Sequence, residues 1–445
     1  MRATIANVVL GPGNETHLPI GPLHIVRAFQ DSGWSVDFRD YQLAHPRTPL
    51  KLDTLVGFLD TQAPVLGLSC YFNLLPLVVL AVEEIRRRDP GKLIILGGPG
   101  PSAAPEDLMR AFPWIDIIVR GEGEATIADL LGRRGDGLEG VQGIVYRRNG
   151  EVVATPHRPR IHALDAWPPP AYDAVDLSQY SCVAIHTARG CPFDCGFCQI
   201  APLWGRTTRN RSISRVVDEI ELLYSRHGVD YIRIADDTMT LSRRRVLDFA
   251  AAMRQRLPKV RWSCMARLDL VDDKLLAAMA KGGCVGIQYG VESGSPAVLE
   301  RVGRRYSPAQ VLKAVRLSAK HMDHVVCTFI WGFPFETMDD FFMTITLMSK
   351  VAELGGDVKI LCLMPMQLSS LYQEFGTELG FDPRLAASTI YSGYAGEVDE
   401  QEESRALDRL LDFIGRHPRL FPDFYYFKSD TFERKRGMLA ALRMA

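Results

Sequence analysis

Short apolar runs alternate with longer amphipathic stretches from the N-terminus to about residue 160. Residues 5–10, 35–38, 65–69, 93–97 and 115–119 read as strands, and 23–33, 50–61, 75–89 and 105–112 as helices. Strict strand–helix alternation predicts a parallel sheet covered on both faces, so residues 1–160 read as a Rossmann-like, doubly wound α/β unit. Ligands of such sheets bind where loops diverge at the carboxyl ends of the strands. The loops expected there are Gly11-Pro12-Gly13, Cys70-Tyr71-Phe72-Asn73, Gly97-Gly98-Pro99-Gly100 and Gly121-Glu122-Gly123-Glu124. Their small residues would let a flat ligand reach the backbone.

Ala166-Trp167-Pro168-Pro169-Pro170 continues neither helix nor central strand, and makes residues 161–180 a stiff connector. Beyond it the alternation resumes. Strands are expected at 182–186, 231–235, 261–266, 286–290, 324–330 and 358–363, with helices at 215–226, 244–256, 273–281 and 308–320 between them and Ser214 capping the first. That gives a partial (β/α)6 barrel over 181–370, whose chemistry belongs at the carboxyl ends of its strands. Residues 371–445 read as a mainly helical C-terminal segment, with an acidic turn at 396–404 and a helix at 406–414. Its aromatic run Phe424-Tyr425-Tyr426-Phe427 either packs between elements or closes over an organic substrate.

Composition narrows the partners. A net charge of -1 over 445 residues gives no electrostatic case for nucleic acid or a membrane surface, and no apolar stretch is long enough to span a bilayer. The first residues run into a strand pattern rather than a signal peptide. Cys70, Cys182, Cys264, Cys284, Cys327 and Cys362 sit in apolar runs, which favours buried thiols, a reducing compartment and hence the cytoplasm.

The chemistry concentrates at Cys191, Cys195 and Cys198, in a turn-rich segment with Gly190, Pro192 and Gly196. A structural zinc site closes with four ligands, whereas an iron–sulfur cubane held by three thiolates keeps one iron open. Three buried cysteines, or part of a zinc site completed elsewhere, are the competing readings.

These residues resemble the radical S-adenosylmethionine (SAM) superfamily motif C-x-x-x-C-x-aromatic-C, with Phe197 in the aromatic place. The resemblance implies a [4Fe-4S] cluster on the three cysteines and SAM on the open iron. It places Phe197 beside the cluster, Asp236 and Asp237 near the SAM amino group, Arg267 near its carboxylate, and Glu292 near its ribose, within a G-x-E-S stretch. The N-terminal loops are similar to the cobalamin-binding domain fused to one branch of that superfamily. This implies cobalamin contacts from Gly11, Cys70, Tyr71, Gly97, Gly98, Pro99, Gly121, Glu122 and Gly123. No D-x-H-x-x-G signature is present, and a domain that keeps the fold without the cofactor stands as the alternative. Gly332-Phe333-Pro334-Phe335-Glu336-Thr337 resembles a G-x-P-G-E-T turn with Phe335 in the glycine place, and Pro365-Met366-Gln367-Leu368-Ser369 departs from the P-x-P-G-T loop of many relatives.

The implied function is reductive cleavage of SAM and cobalamin-dependent methylation of an unactivated carbon in a biosynthetic intermediate. A small-molecule substrate and an external electron donor such as flavodoxin or ferredoxin are the implied partners. The alternatives are radical cyclisation, rearrangement or aminocarboxypropyl transfer, with or without cobalamin, and a non-catalytic iron–sulfur electron carrier.

Overall fold

A computed structural model describes residues 1–11, 13, 15–133 and 137–442, so Pro12 of the first glycine loop and the last three residues of the C-terminal segment lie outside the described residues. The chain divides into two units: Met1–His162, Trp167–Ser181 and Phe381–Tyr425 form unit 1, and Ala163–Ala166, Cys182–Gly380 and Tyr426–Ala445 form unit 2.

Unit 1 is built on a seven-stranded sheet in the order β2-β1-β3-β4-β5-β6-β7. The strands are β1 Arg2–Val8, β2 Ser35–Asp40, β3 Val65–Cys70, β4 Leu93–Gly97, β5 Ile117–Val119, β6 Ile144–Arg148 and β7 Glu151–Ala154. The first five run parallel, as the alternation predicts, and β6 and β7 add an antiparallel edge that the strand–helix reading omits. Side chains alternate across the sheet: Ala6, Val8, Leu66, Leu68, Ile94 and Leu96 enter one core, while Ala3, Ile5, Val65 and Ile95 enter the other. Each fully buried aliphatic side chain stabilises the fold by roughly 1.5–3 kcal/mol, so two cores hold the sheet from both sides. The first core is completed by Ala386, Ile390, Leu410, Ile414, Phe421 and Phe424. The C-terminal segment read as one piece is therefore divided, because the helices Pro383–Tyr391 and Glu400–Gly415 bury their apolar stripes in the unit 1 core, against the turn Phe72–Leu74 and the helix Leu75–Arg88. The aromatic run is divided too, Phe424 and Tyr425 falling in unit 1 and Tyr426 and Phe427 in unit 2.

Unit 2 carries a six-stranded parallel sheet in the order β15-β14-β13-β12-β11-β8. Its strands are β8 Ala184–Ile185, β11 Tyr231–Ile234, β12 Arg261–Ala266, β13 Cys284–Glu292, β14 His324–Trp331 and β15 Asp357–Cys362. Between β8 and β11 the short strands β9 Ala188–Arg189 and β10 Arg209–Asn210 pair antiparallel around the cysteine segment. The first strand is thus only two residues long, since the chain turns off it at His186 and Thr187. The helix Ile213–His227 starts two residues before its expected start, because Ser212, not Ser214, accepts the Arg215 N–H. The last described strands, β16 Leu379–Gly380 and β17 Tyr426–Phe427, pair antiparallel and bring together the two ends of the segment that belongs to unit 1.

Candidate functional site

In unit 2 the three cysteines lie half-buried on the loop that leaves β9. Gly190 opens the loop at φ +87°, and a Cβ there would come within 2.4 Å of the Thr207 carbonyl oxygen, so only glycine lets the two backbones approach. The loop is clamped at Gly196, whose N–H donates to Val302 O at 3.2 Å and whose carbonyl accepts from the Leu371 N–H at 3.0 Å. The Cys198 N–H donates back to Cys195 O at 2.9 Å, and the Ile200 N–H donates to Cys198 Sγ at 3.4 Å. Burial pushes the Cys198 thiol up to about 11, and the charges of Cys195 and Cys191 act in the same direction. Among the described residues no three His, Cys, Asp or Glu groups converge on a single-ion site.

Two arginines flank this loop. Arg267 follows β12, is buried, and lays its guanidinium over the Phe193 ring at 3.7 Å from the centroid. Asp269 takes its Nε at 3.0 Å and one Nη at 2.9 Å, a fork that fixes the guanidinium plane, while the other terminal nitrogen is buried with no partner. Arg304 lies over the Phe197 ring at 5.7 Å and donates to Glu292 at 2.6 Å, leaving its Nε buried without a partner. Burial raises the Cys195 thiol pKa, and the charges of Arg304 and Arg267 oppose that rise. Buried unpaired donors are costly and rare. Here two of them border one half-buried thiol loop, and an anionic ligand is what such donors fit.

The strand-end carboxylates divide in role. Asp236 is buried and spends both oxygens on the chain, accepting the Thr187 N–H at 2.6 Å, the Thr187 hydroxyl at 2.5 Å and the Ala188 N–H at 2.9 Å. It fixes the approach to the cysteines, and burial pushes its pKa up to about 6 against those donors. Its neighbour Asp237 is half-buried, accepts the Gly190 N–H at 3.2 Å, and is raised by burial. Glu292 adopts φ +63° at a bulge between β13 and β14, a left-handed conformation that is strained for a residue with a side chain and is held by the Arg304 pair. Burial raises its pKa, and Arg304 lowers it. Phe197 meets Phe333 edge-on at 6.4 Å, and Phe333 stacks on Phe335 at 5.7 Å, so the phenylalanine in the glycine place extends an aromatic shell behind the loop. Glu336, in the same turn, forms a fully buried pair with Lys435 at 2.9 Å.

Spacing did not single out Arg304, Thr187, Phe193 or Lys435. A signal for Arg304 exists in the run Arg301-Val302-Gly303-Arg304-Arg305, but nothing in the sequence ties it to Glu292.

In unit 1 the glycine loops do gather at the carboxyl ends of β1, β3, β4 and β5, yet most of the glycines serve contacts of the chain with itself. A Cβ on Gly98, at φ +96°, would sit 2.7 Å from Cys70 O, and one on Gly100 would sit 2.8 Å from the Tyr71 carbonyl carbon. One on Gly11 would meet Glu15 O at 2.3 Å, and one on Gly123 the Ile25 side chain at 2.7 Å. The expectation that these glycines bare the backbone to a ligand is thereby narrowed: Gly121, at φ +71°, has open space, and Gly97 nearly so. Cys70 is fully buried with its thiol pushed up to about 12 by burial, whereas Tyr71 is 52% exposed at the end of β3. Pro99 starts a short helix behind Gly98, and Glu122 accepts the Ile161 N–H at 2.9 Å. The C-terminal arm frames the same edge. Gly393 O accepts the Gly13 N–H at 2.6 Å, and Asn73 donates to Ile390 O at 3.1 Å. An exposed aromatic ring, open Gly121 and surrounding backbone fit a flat ligand with many amide groups. The first loop carries His17, hydrogen-bonded to Glu15 at 3.0 Å.

Two family models match the chain: one for the radical SAM superfamily over residues 185–348, and one for a B12 binding domain over residues 6–131. An uncharacterized methyltransferase of Pyrococcus horikoshii is 36% identical over 265 residues, which is 58% of this chain and 58% of that protein. The anaerobic magnesium-protoporphyrin IX monomethyl ester cyclase of Rubrivivax gelatinosus is 30% identical over 379 residues, 80% of this chain and 66% of the cyclase. The chain thus spans less than two thirds of the length of either relative. The solved structure of the radical SAM methyltransferase TsrM from Kitasatospora setae, with tryptophan substrate and a SAM analog bound, matches 99% of this chain and 88% of its own at a TM-score of 0.72 and 17% identity, a likeness of fold.

Proposed function

We propose, for a chain that belongs to the radical SAM superfamily and carries a B12-binding domain ahead of its radical SAM domain, cobalamin-dependent methyl transfer to an unactivated carbon of a biosynthetic intermediate. The observation that carries the reading is the loop of Cys191, Cys195 and Cys198, bordered by two guanidiniums that each keep a buried, unpartnered nitrogen. Bound there, a [4Fe-4S] cluster supplies one electron for reductive cleavage of SAM, and cobalamin in unit 1 supplies the methyl group.

The chain's own residues prepare the rest. The three thiolates are the ligands, and Gly190 and Gly196 set the loop that aims them. Asp269 holds two nitrogens of Arg267 and leaves the third for the SAM carboxylate. Asp237 offers a half-buried carboxylate to the cationic amine. Glu292, held at positive φ and paired with Arg304, suits the ribose hydroxyls, and Phe193 and Phe197 keep water from the loop. For cobalamin, Tyr71, Gly97, Gly121 and the arm at Gly393–Ala395 are the contacts the unit 1 edge offers.

The likeness to the cyclase supports a second reading, radical ring closure at the same cluster without methyl transfer. Anaerobic reconstitution followed by iron, sulfide and cobalt analysis and product assay separates the two. The first reading expects about four irons per chain, stoichiometric cobalt and a methylated product. Iron without cobalt and a cyclised product would select the second. A chain that assembles no cluster, or a Cys195→Ala variant that still cleaves SAM, would sink both.

A further inference from the structure

Helices cover only one face of the unit 2 sheet. Ile232, Ile234, Trp262, Cys264, Ile287, Tyr289, Val325, Cys327 and Phe329 point to that face and are buried. The alternate positions point the other way and stay open, as the exposed or half-buried Arg233, Ser263, Met265, Gln288, Thr328, Ile330, Lys359 and Leu361 show. Strand register sorts these residues into rows across the bare face. Arg233 aligns with Ser263, Met265 with Gln288 and Val326, and Gly290 with Thr328 and Lys359; Ile330 aligns with Leu361.

Two features of this face call for an occupant. Met265 is 37% exposed and Leu361 58%, apolar surface that a sheet interior normally hides. Among the described residues Lys359 and Arg233 find no partner for an ion pair or side-chain hydrogen bond, whereas many arginines are paired. Asp357, two residues from Lys359 and one row nearer the amino ends, is the one carboxylate on these rows, so cations outnumber anions there two to one. The Lys359 row lies two residues short of Glu292 on β13, about 7 Å along the strand direction. An anion held by Lys359 thus lies below the site assembled at the strand ends.

We infer that the bare face seats the substrate and selects an anionic compound with an apolar body. Its carboxylate or phosphate binds at Lys359 beside Thr328, and its carbon skeleton lies along Met265, Ile330 and Leu361. The inference rests on the radical SAM reading of unit 2 and adds the substrate class.

The test needs no cluster. Binding of anilinonaphthalene sulfonate, an anionic and apolar fluorophore, is compared with that of uncharged phenylnaphthylamine on the full chain. Lys359→Ala should weaken the sulfonate roughly fivefold, Lys359→Glu should weaken it further, and Lys359→Arg should restore it, with the neutral probe unmoved throughout. Lys350→Ala, on an exposed helix, should change neither. Octanoate and octyl phosphate should displace the sulfonate and octanol should not, the tighter of the two naming the acid group. Sulfonate affinity unchanged in Lys359→Glu, or an equal loss for the neutral probe in Lys359→Ala, overturns the inference. Iron loading measured on the same variants keeps the outcomes apart: failure of the wild type to load iron strikes the radical SAM reading, whatever the dyes report.

Discussion

At the ends of β3 and β4 in unit 1 chain meets chain through bare backbone, Gly98 against Cys70 and Gly100 against Tyr71. At the ends of β12, β13 and β14 in unit 2 the contacts are charged side chains in pairs: Arg267 with Asp269, Glu292 with Arg304, Glu336 with Lys435. Both sheets are parallel at these strands and both present their loops at the carboxyl edge, so topology does not explain the contrast. Ligand chemistry does. A large flat ligand needs room and many weak backbone contacts, which glycine provides by omission. A small zwitterion beside a metal cluster needs oriented charge, which side chains provide only when other side chains hold them. The first kind of edge fails by steric intrusion and the second by loss of a partner.

The buried pair Glu336–Lys435 gives the sharpest way to break the charged edge. Lys435→Met should cost about 3–5 kcal/mol of unfolding free energy, because it strands a buried carboxylate, and the double variant with Glu336→Leu should recover part of it; urea unfolding reads both. Gly98→Val tests the other edge. It forces a branched side chain to φ +96° and into Cys70 O, at a cost of roughly 2–4 kcal/mol, while iron loading per folded chain stays unchanged. Loss of iron in that variant would show that the two edges are not independent. Arg267→Ala should weaken SAM by about tenfold to a hundredfold at constant iron content, measured by equilibrium dialysis, with Arg267→Lys in between because it keeps charge without the fork.

The smallest effect separates two buried carboxylates. Asp236 has three donors, whereas Asp423, in the arm of unit 1, has no side-chain partner, and burial pushes its pKa up to about 7 from 3.8. A carboxyl raised on folding binds its proton more tightly in the native state. Its stabilisation is therefore complete below about pH 4 and drains away as pH rises through about 7. Asp423→Asn should flatten this slope and add on the order of 1–2 kcal/mol at pH 8, read from urea unfolding at pH 5 and pH 8. Asp236→Asn should lose stability at both pH values, since its neighbours donate to it.

What was legible follows from sequence distance. Cys191, Cys195 and Cys198 carry their meaning in local spacing, and Arg267 and Asp237 are marked by position at strand ends. Arg304 was not legible because its role depends on Glu292, brought to it by a bulge and a positive φ. Lys435 meets Glu336 across 99 residues, a separation no periodicity encodes. Amphipathic helices at 383–391 and 400–415 announce a buried stripe without saying which unit's core it joins, so one tail was read where the fold makes two attachments. The hairpin of β6 and β7 did have a signal, Asn149-Gly150 at φ 52° and 86°, the dipeptide that favours tight hairpin turns. The strand–helix rhythm masked it.

The arm has a further consequence, for the order in which the protein matures on the ribosome. Residues Phe381–Tyr425 complete a core whose other walls are β1, β3, β4 and the helix Leu75–Arg88. At about 5–20 residues per second, that core waits on the order of ten seconds to a minute for its last wall, with the outer apolar side of that helix uncovered. Nascent-chain chaperones are the expected guardians of that interval, and a chain truncated at residue 380 should aggregate rather than stand free.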